Sequence, residues 1–199
     1  PSDSRTLNGI AEQALERAQA TAARTTGTAI HAATEMADRG EDISHLPESI
    51  RRDVKAYRDV IDDHGLTPVL GEVFVVNDEL EVAGTFDRVL RSSAGGFGVG
   101  DIKTSGSVDT AKYAALEWAI QIAIYSRSTP WCAKRGYITW EELGLTPPST
   151  DAGVVVHVVQ GTGRARLYQI DLQAGWDLAQ LAAKVRKARK YGPTLARAM

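Results

Sequence analysis

The sequence has a single cysteine, Cys132, in 199 residues. This excludes an intrachain disulfide framework and any four-cysteine zinc or iron–sulfur centre held by one chain, and it fits a reducing compartment. Long apolar runs are missing as well. No stretch approaches the roughly 18 consecutive apolar residues of a membrane span. Nor do the first residues show a basic-then-apolar leader pattern, so a cytoplasmic location without a membrane partner is expected. Aromatic residues are sparse, at 7%, and there is no repeat and no low-complexity tract. A G-x-x-x-x-G-K-[ST] phosphate loop is absent, so the chain is not expected to unwind duplex with an ATPase of its own.

What remains is an ordinary globular composition, 43% hydrophobic and 24% charged, with a net charge of -2. It fits one domain over residues 1–199. Charge is unevenly placed. Residues 175–199 carry Lys184, Arg186, Lys187, Arg189, Lys190 and Arg197 against Asp177 alone, which leaves the rest of the chain acidic. An acidic body with a basic end hints at a polyanionic partner or an acidic metal site.

Periodicity predicts helices first. Leu7, Ile10, Ala14, Leu15 and Ala18 recur at helical spacing, and a second helix over about 28–38 is expected after Thr25, Thr26 and Gly27 as caps. Residues 48–63 read as a charged helix. From Pro68 the period changes: Val69–Val76 and Leu80–Leu90 flank an Asn77-Asp78-Glu79 turn as a β-hairpin, and Phe97–Lys103 forms a third strand. A helix over 109–128, with Tyr113, Leu116, Ile120 and Ile124 on its apolar stripe, leads into an excursion over 131–150. Strands over 154–159 and 166–172 and a helix over 174–191 complete the chain. The expected class is α/β, a central mixed β-sheet flanked by helices.

The third strand carries the sharpest chemistry. Asp101 and Lys103 are two apart, so a carboxylate and an ammonium leave the same strand face side by side. Asp87 sits on the preceding strand at the parity of Thr85 and Val89, opposite Phe86. Aspartate is disfavoured in strands, and Gly84 marks a bulge or a close approach. On the predicted helix around 28–38, His31 and Glu35 are one turn apart, and Gln121 and Tyr125 repeat that spacing later. Glu72 adds a carboxylate on the first strand. A histidine and several carboxylates beside a lysine suit a hard cation, magnesium or manganese, with the imidazole favouring manganese.

The motif order resembles that of RecB-like nucleases of the PD-(D/E)XK superfamily. Gly27 to Glu35 is similar to their G-x-x-x-H-x-x-x-E motif, Gly84-Thr85-Phe86-Asp87 to G-x-x-D, Asp101-Ile102-Lys103-Thr104 to D-x-K-T, and Gln121 to Tyr125 to Q-x-x-x-Y. The likeness spans a core of about 27–128. It leaves the N-terminal helix and residues 130–199 uncovered. Phe86 stands where proline is usual before the aspartate, and the cysteine-ligated iron–sulfur cluster of some relatives is excluded here.

The resemblance implies a restriction-endonuclease-like core and a metal-dependent DNA nuclease, an exonuclease of recombination, repair or phage DNA metabolism. It implies metal ligation by His31, Asp87, Asp101 and the backbone carbonyl of Ile102, with Lys103 orienting water and stabilising charge. Gln121 and Tyr125 would support the site or touch substrate, and Glu35 and Glu72 would hold a second metal or bond to the ligands. Arg88, Lys112, Arg127 and the basic terminal helix are candidate DNA contacts; Trp131 and Trp140 are candidates for base stacking or core packing. DNA is the expected partner, beside a homo-oligomer or a larger recombination or repair assembly. A catalytically silent binding module and an RNA-directed nuclease are the alternatives.

Overall fold

A computed structural model describes the backbone of residues 3–190 and the side chains of residues 20–190. The stripe from Leu7 to Ala18 and the basic Arg197 lie outside the described side chains. In chain order the elements are α1 (Asp3–Asp38), α2 (Glu48–Asp63), β1 (Leu66–Asn77), β2 (Val82–Ser92), β3 (Phe97–Ser105) and α3 (Thr110–Ser126). They continue with β4 (Thr129–Cys132), β5 (Gly136–Tyr137), a short 3-10 turn (Glu141–Leu143), β6 (Ala152–Val159), β7 (Arg164–Asp171) and α4 (Leu172–Arg189).

Seven strands form one mixed sheet in the order β5-β4-β1-β2-β3-β6-β7. Neighbours are antiparallel except β3 and β6, which run parallel because α3 and the following excursion carry the chain across before β6. One face packs on α1 and α2 through Ile30, Val54, Tyr57, Ile61, Ile102 and Val156. The other packs on α3 and α4 through Phe86, Val89, Val99, Trp118, Ile122 and Leu172. The α/β class and the helix-flanked mixed sheet are therefore as expected.

Helix α2 matches its predicted bounds, because Ile50, Val54, Tyr57 and Ile61 form one buried stripe. At its N-terminus α4 is capped by Asp171, whose carboxylate accepts the N–H groups of Gln173 and Ala174 at 3.0 Å. Gly175 lets α4 lie close to α3, since a Cβ there would fall 2.3 Å from the carbonyl oxygen of Ala119.

Four expectations are corrected. The first is the break before residue 28, which does not occur. Thr25 and Thr28 bond back to the carbonyls of Thr21 and Arg24 at 3.0 and 3.1 Å, within one continuous helix. Gly27 is a contact, not a breaker: a Cβ there would lie 2.6 Å from Thr104 Oγ1.

The second concerns α3. Its stripe is rotated, leaving Tyr113 85% and Leu116 57% exposed while Trp118, Ile122 and Ala123 are buried. The segment is apolar almost all round, so periodicity carried little directional information. Third, the excursion over 131–150 holds the end of β4, all of β5 and the 3-10 turn, and it buries Trp140 beside Phe86.

The fourth is strand parity. Phe86 and Val89 join the same core cluster although three residues apart, and Val73 joins it with Leu70 packed alongside. Between them, opposite Asp87, Glu72 takes a left-handed backbone (φ +51°) at a cost of about 1–2 kcal/mol. Strict alternation fails there. Phe86 and Ile102 lie on opposite faces of the sheet.

Candidate functional site

The site is built where β2 and β3 part. They pair from Arg88↔Gly100 to Arg91↔Phe97; beyond Gly100, β3 continues on β6 alone. Asp87 fills the gap. Its Oδ2 accepts the N–H of Ile102 at 2.6 Å, replacing a rung of the lost ladder. The same oxygen is 3.4 Å from His31 Nδ1, delivered by α1. Burial, the largest influence on Asp87, opposes its ionisation. His31, the Ile102 N–H and Arg88 together outweigh it and hold the carboxyl below its ordinary range.

Asp101 is 3% exposed. Lys103 Nζ approaches its Oδ2 to 2.5 Å, off the direction a hydrogen bond needs, so this buried oxygen has no hydrogen-bond partner among the described residues. Burial first, then the negative charge of Asp87, pushes the Asp101 carboxyl up to about 6, partly offset by Lys103. A relay leads outward from the ammonium. Lys103 Nζ donates to Gln121 Oε1 at 2.7 Å, and Gln121 Nε2 donates to the Tyr125 hydroxyl at 2.9 Å. Tyr125 fits because position 84 is glycine: a Cβ there would stand 3.0 Å from its ring. The close approach expected at Gly84 is thus made by a side chain of α3.

Glu35 lies one turn beyond His31 and is paired with Arg39 at 2.5 Å. Glu72 is raised by partial desolvation first, then by Asp87 and Glu35. The side chain of Ile102 packs away from the site, into the α1/α2 core. The structure therefore joins His31 with Asp87, and Asp101 with Lys103, Gln121 and Tyr125. Among the described residues no group of three His, Cys, Asp or Glu side chains forms a ready cation cage. The donor types, one imidazole and the carboxylates of Asp87 and Asp101, are those that magnesium or manganese takes, and Asp101 Oδ2, beside the Lys103 ammonium, has no hydrogen-bond partner among the described residues.

Two expected DNA contacts are corrected. Arg88, 3% exposed, is buried in an ion pair with Asp38 at 2.6 Å and donates to Thr34 Oγ1 and the Asp87 carbonyl. Arg127 donates to the carbonyls of Leu172 and Thr150 and lies over the Trp176 ring at 5.2 Å. Both brace the fold. Lys112 is exposed beside Asp109, while on α4 Arg186 donates to the Leu80 carbonyl and Lys187 lies 3.7 Å from Glu81. Trp131 packs edge-on to Phe74.

Sequence reasoning missed the Asp38–Arg88 pair and His157. The latter is buried on β6 beside Lys103 in register and bonded to Ser105 at 2.7 Å. Ser105 shares the parity of Asp101 and Lys103, a signal that was present. His157 could not be placed without knowing the parallel register.

Neither a family model nor a curated protein matches the chain. Among solved structures it is similar to one described as "Crystal structure of SSO0001", at 16% identity and a TM-score of 0.33. The match covers 68% of this chain and 60% of that one, so the chain spans less than two thirds of its neighbour's length. Among the described residues no helix is long and apolar enough to cross a membrane.

Proposed function

We propose that this chain is a metal-dependent nuclease with a RecB-like PD-(D/E)XK core, hydrolysing phosphodiester bonds of DNA. What supports the reading is that two pairs sit side by side at the β2–β3 fork: Asp87, held by His31 and the Ile102 N–H, and Asp101 with Lys103, whose carboxyl feels the charge of Asp87. His31, Asp87, Asp101 and the Ile102 carbonyl would hold magnesium or manganese. Bound there, the ion would supply Lewis-acid polarisation of the phosphoryl group and an acidified water.

The chain's own groups do the rest. Lys103 places a positive charge where negative charge grows on the phosphate, and Gln121 fixes its direction while Tyr125 fixes Gln121. Asp87 is held ionised by its neighbours and spans the fork, tying α1 to β3. Rigid placement matters because about 1 Å of slack can cost roughly a hundredfold in rate.

The test is cleavage of labelled single-stranded DNA, duplex DNA and RNA in manganese, in magnesium and in chelator. Metal-dependent DNA cleavage, lost in Asp101→Ala and Lys103→Ala, is the expected result. No cleavage under any condition would overturn the reading and favour a binding-only module, for which the lack of a ready cation cage among the described residues speaks. Preferential cleavage of RNA would replace the substrate.

A further inference from the structure

Beside His31 an open groove of about 620 Å³ runs between α1 and the end of β3. Arg24, Thr28, His31, Thr104, Ser105 and Gln160 give it its polar lining, with no carboxylate among the described lining residues. The continuity of α1 creates it. Arg24 and Thr28 lie seven and three residues before His31, which on an unbroken helix is one face. Arg24 then stands about 10 Å along the axis from His31. A break before residue 28 would have destroyed this register.

The floor is built to stay open. Gln160 Nε2 donates to the Ala23 carbonyl at 3.0 Å and to Thr104 Oγ1 at 3.2 Å, and Gly27 seats its backbone against Thr104. Among the described residues the exposed Arg24 guanidinium has no ion pair and no hydrogen bond. The other end of the same helix face differs in kind. Past His31 the surface carries Glu35 and Glu41 around Arg39, two carboxylates to one guanidinium, while Asp38 is buried against Arg88.

From this asymmetry we infer that the Arg24 groove binds the backbone of the substrate strand on one side of the scissile bond. The guanidinium meets a flanking phosphate, and the hydroxyls of Thr28 and Thr104 lie within the same channel. The strand leaves the site toward Arg24 and is turned away from the Glu35 end, where carboxylates would repel it. This deepens the nuclease reading and rests on it.

The experiment measures binding of a short single-stranded DNA to the Lys103→Ala protein in magnesium, by fluorescence anisotropy over a range of salt. It is repeated with Arg24→Gln added, and with Lys134→Gln added as a control on the far β4–β5 edge. Losing one phosphate contact lowers the slope of log K against log salt by about 0.7 and weakens binding about fivefold at 0.1 M salt. That change in Arg24→Gln, with none in Lys134→Gln, is expected. An unchanged slope in Arg24→Gln, equal losses in both, or no binding by the parent protein overturns the inference. Cleavage by the unaltered chain is scored separately. If cleavage is absent while the Arg24 slope still falls, the nuclease reading fails and the groove stands as the binding face of a silent module.

Discussion

Two aspartates are taken almost wholly out of water, Asp53 at 0% and Asp101 at 3% exposure, and their surroundings treat them in opposite ways. Asp53, on α2, reaches under the β6–β7 turn. Its two oxygens accept the N–H groups of Gly161 at 2.6 Å and Gly163 at 2.8 Å. Among the described residues Asp101, on β3, meets an unaligned ammonium, the repulsion of Asp87 and a smaller attraction from His31. A buried carboxylate with every oxygen bonded fastens a turn. One left short of partners beside a second carboxylate stores a demand for positive charge, which is how functional sites differ from structural ones.

Removing the demanding group should have the largest effect on activity and little on folding. Asp101→Asn is expected to lower DNA cleavage by about 10²–10³-fold or more. Its urea midpoint should stay level or rise, because a poorly satisfied buried charge is gone. A variant that unfolds instead would mean that Asp101 is structural like Asp53.

The reverse is expected at Asp53. Asp53→Ala strips two charge-assisted bonds from the turn and should cost about 2–4 kcal/mol in urea unfolding, with cleavage per folded molecule retained. An unchanged midpoint would erase the contrast between the two sites.

A third measurement sharpens the contrast through pH. The folded Asp101 carboxyl, at about 6, lies above its unfolded value near 3.8. The folded state therefore holds this proton more tightly. The stabilisation is present below pH 4 and is lost as pH rises through 6. Without added metal, the stability of the unaltered protein relative to Asp101→Asn should fall by about 2–3 kcal/mol between pH 4 and pH 7. A flat difference would show that Asp101 carries no such penalty.

The smallest effect is expected at Gly84. An added methyl would meet the Tyr125 ring at 3.0 Å and displace the Gln121–Tyr125 pair. Gly84→Ala should slow cleavage about tenfold, within the sensitivity of catalysis to sub-ångström placement. Its KM should move less than its kcat. Unaltered kcat would remove Tyr125 from the positioning relay.

Much of this was legible beforehand, for local reasons. The buried stripe of α2, the hairpin around Asn77-Asp78-Glu79 and the Asp101-x-Lys103 geometry follow from spacing and turn chemistry within a few residues. Harder to read were α3, apolar nearly all round, and Arg88, whose charge suggests a surface although Asp38, fifty positions earlier, lies 2.6 Å away. Gly27 and Gly84 were legible as glycines. Their partners, Thr104 and Tyr125, were not, because each contact crosses from one element to another.

By itself the sequence determined the secondary-structure alphabet, the acidic and basic residues available, and the pairs that share a face by period: Asp101 with Lys103, His31 with Glu35, Gln121 with Tyr125. Those follow from the fixed repeats of helix and strand, which need no knowledge of the rest of the chain. Tertiary structure alone decided that β2 and β3 part at Asp87, that α1 runs unbroken past Gly27, and that Asp101 is buried with an unaligned oxygen while Asp53 is satisfied. These depend on which distant backbone N–H groups and charges arrive beside a side chain, and that is settled only when the sheet and both helical layers close around it.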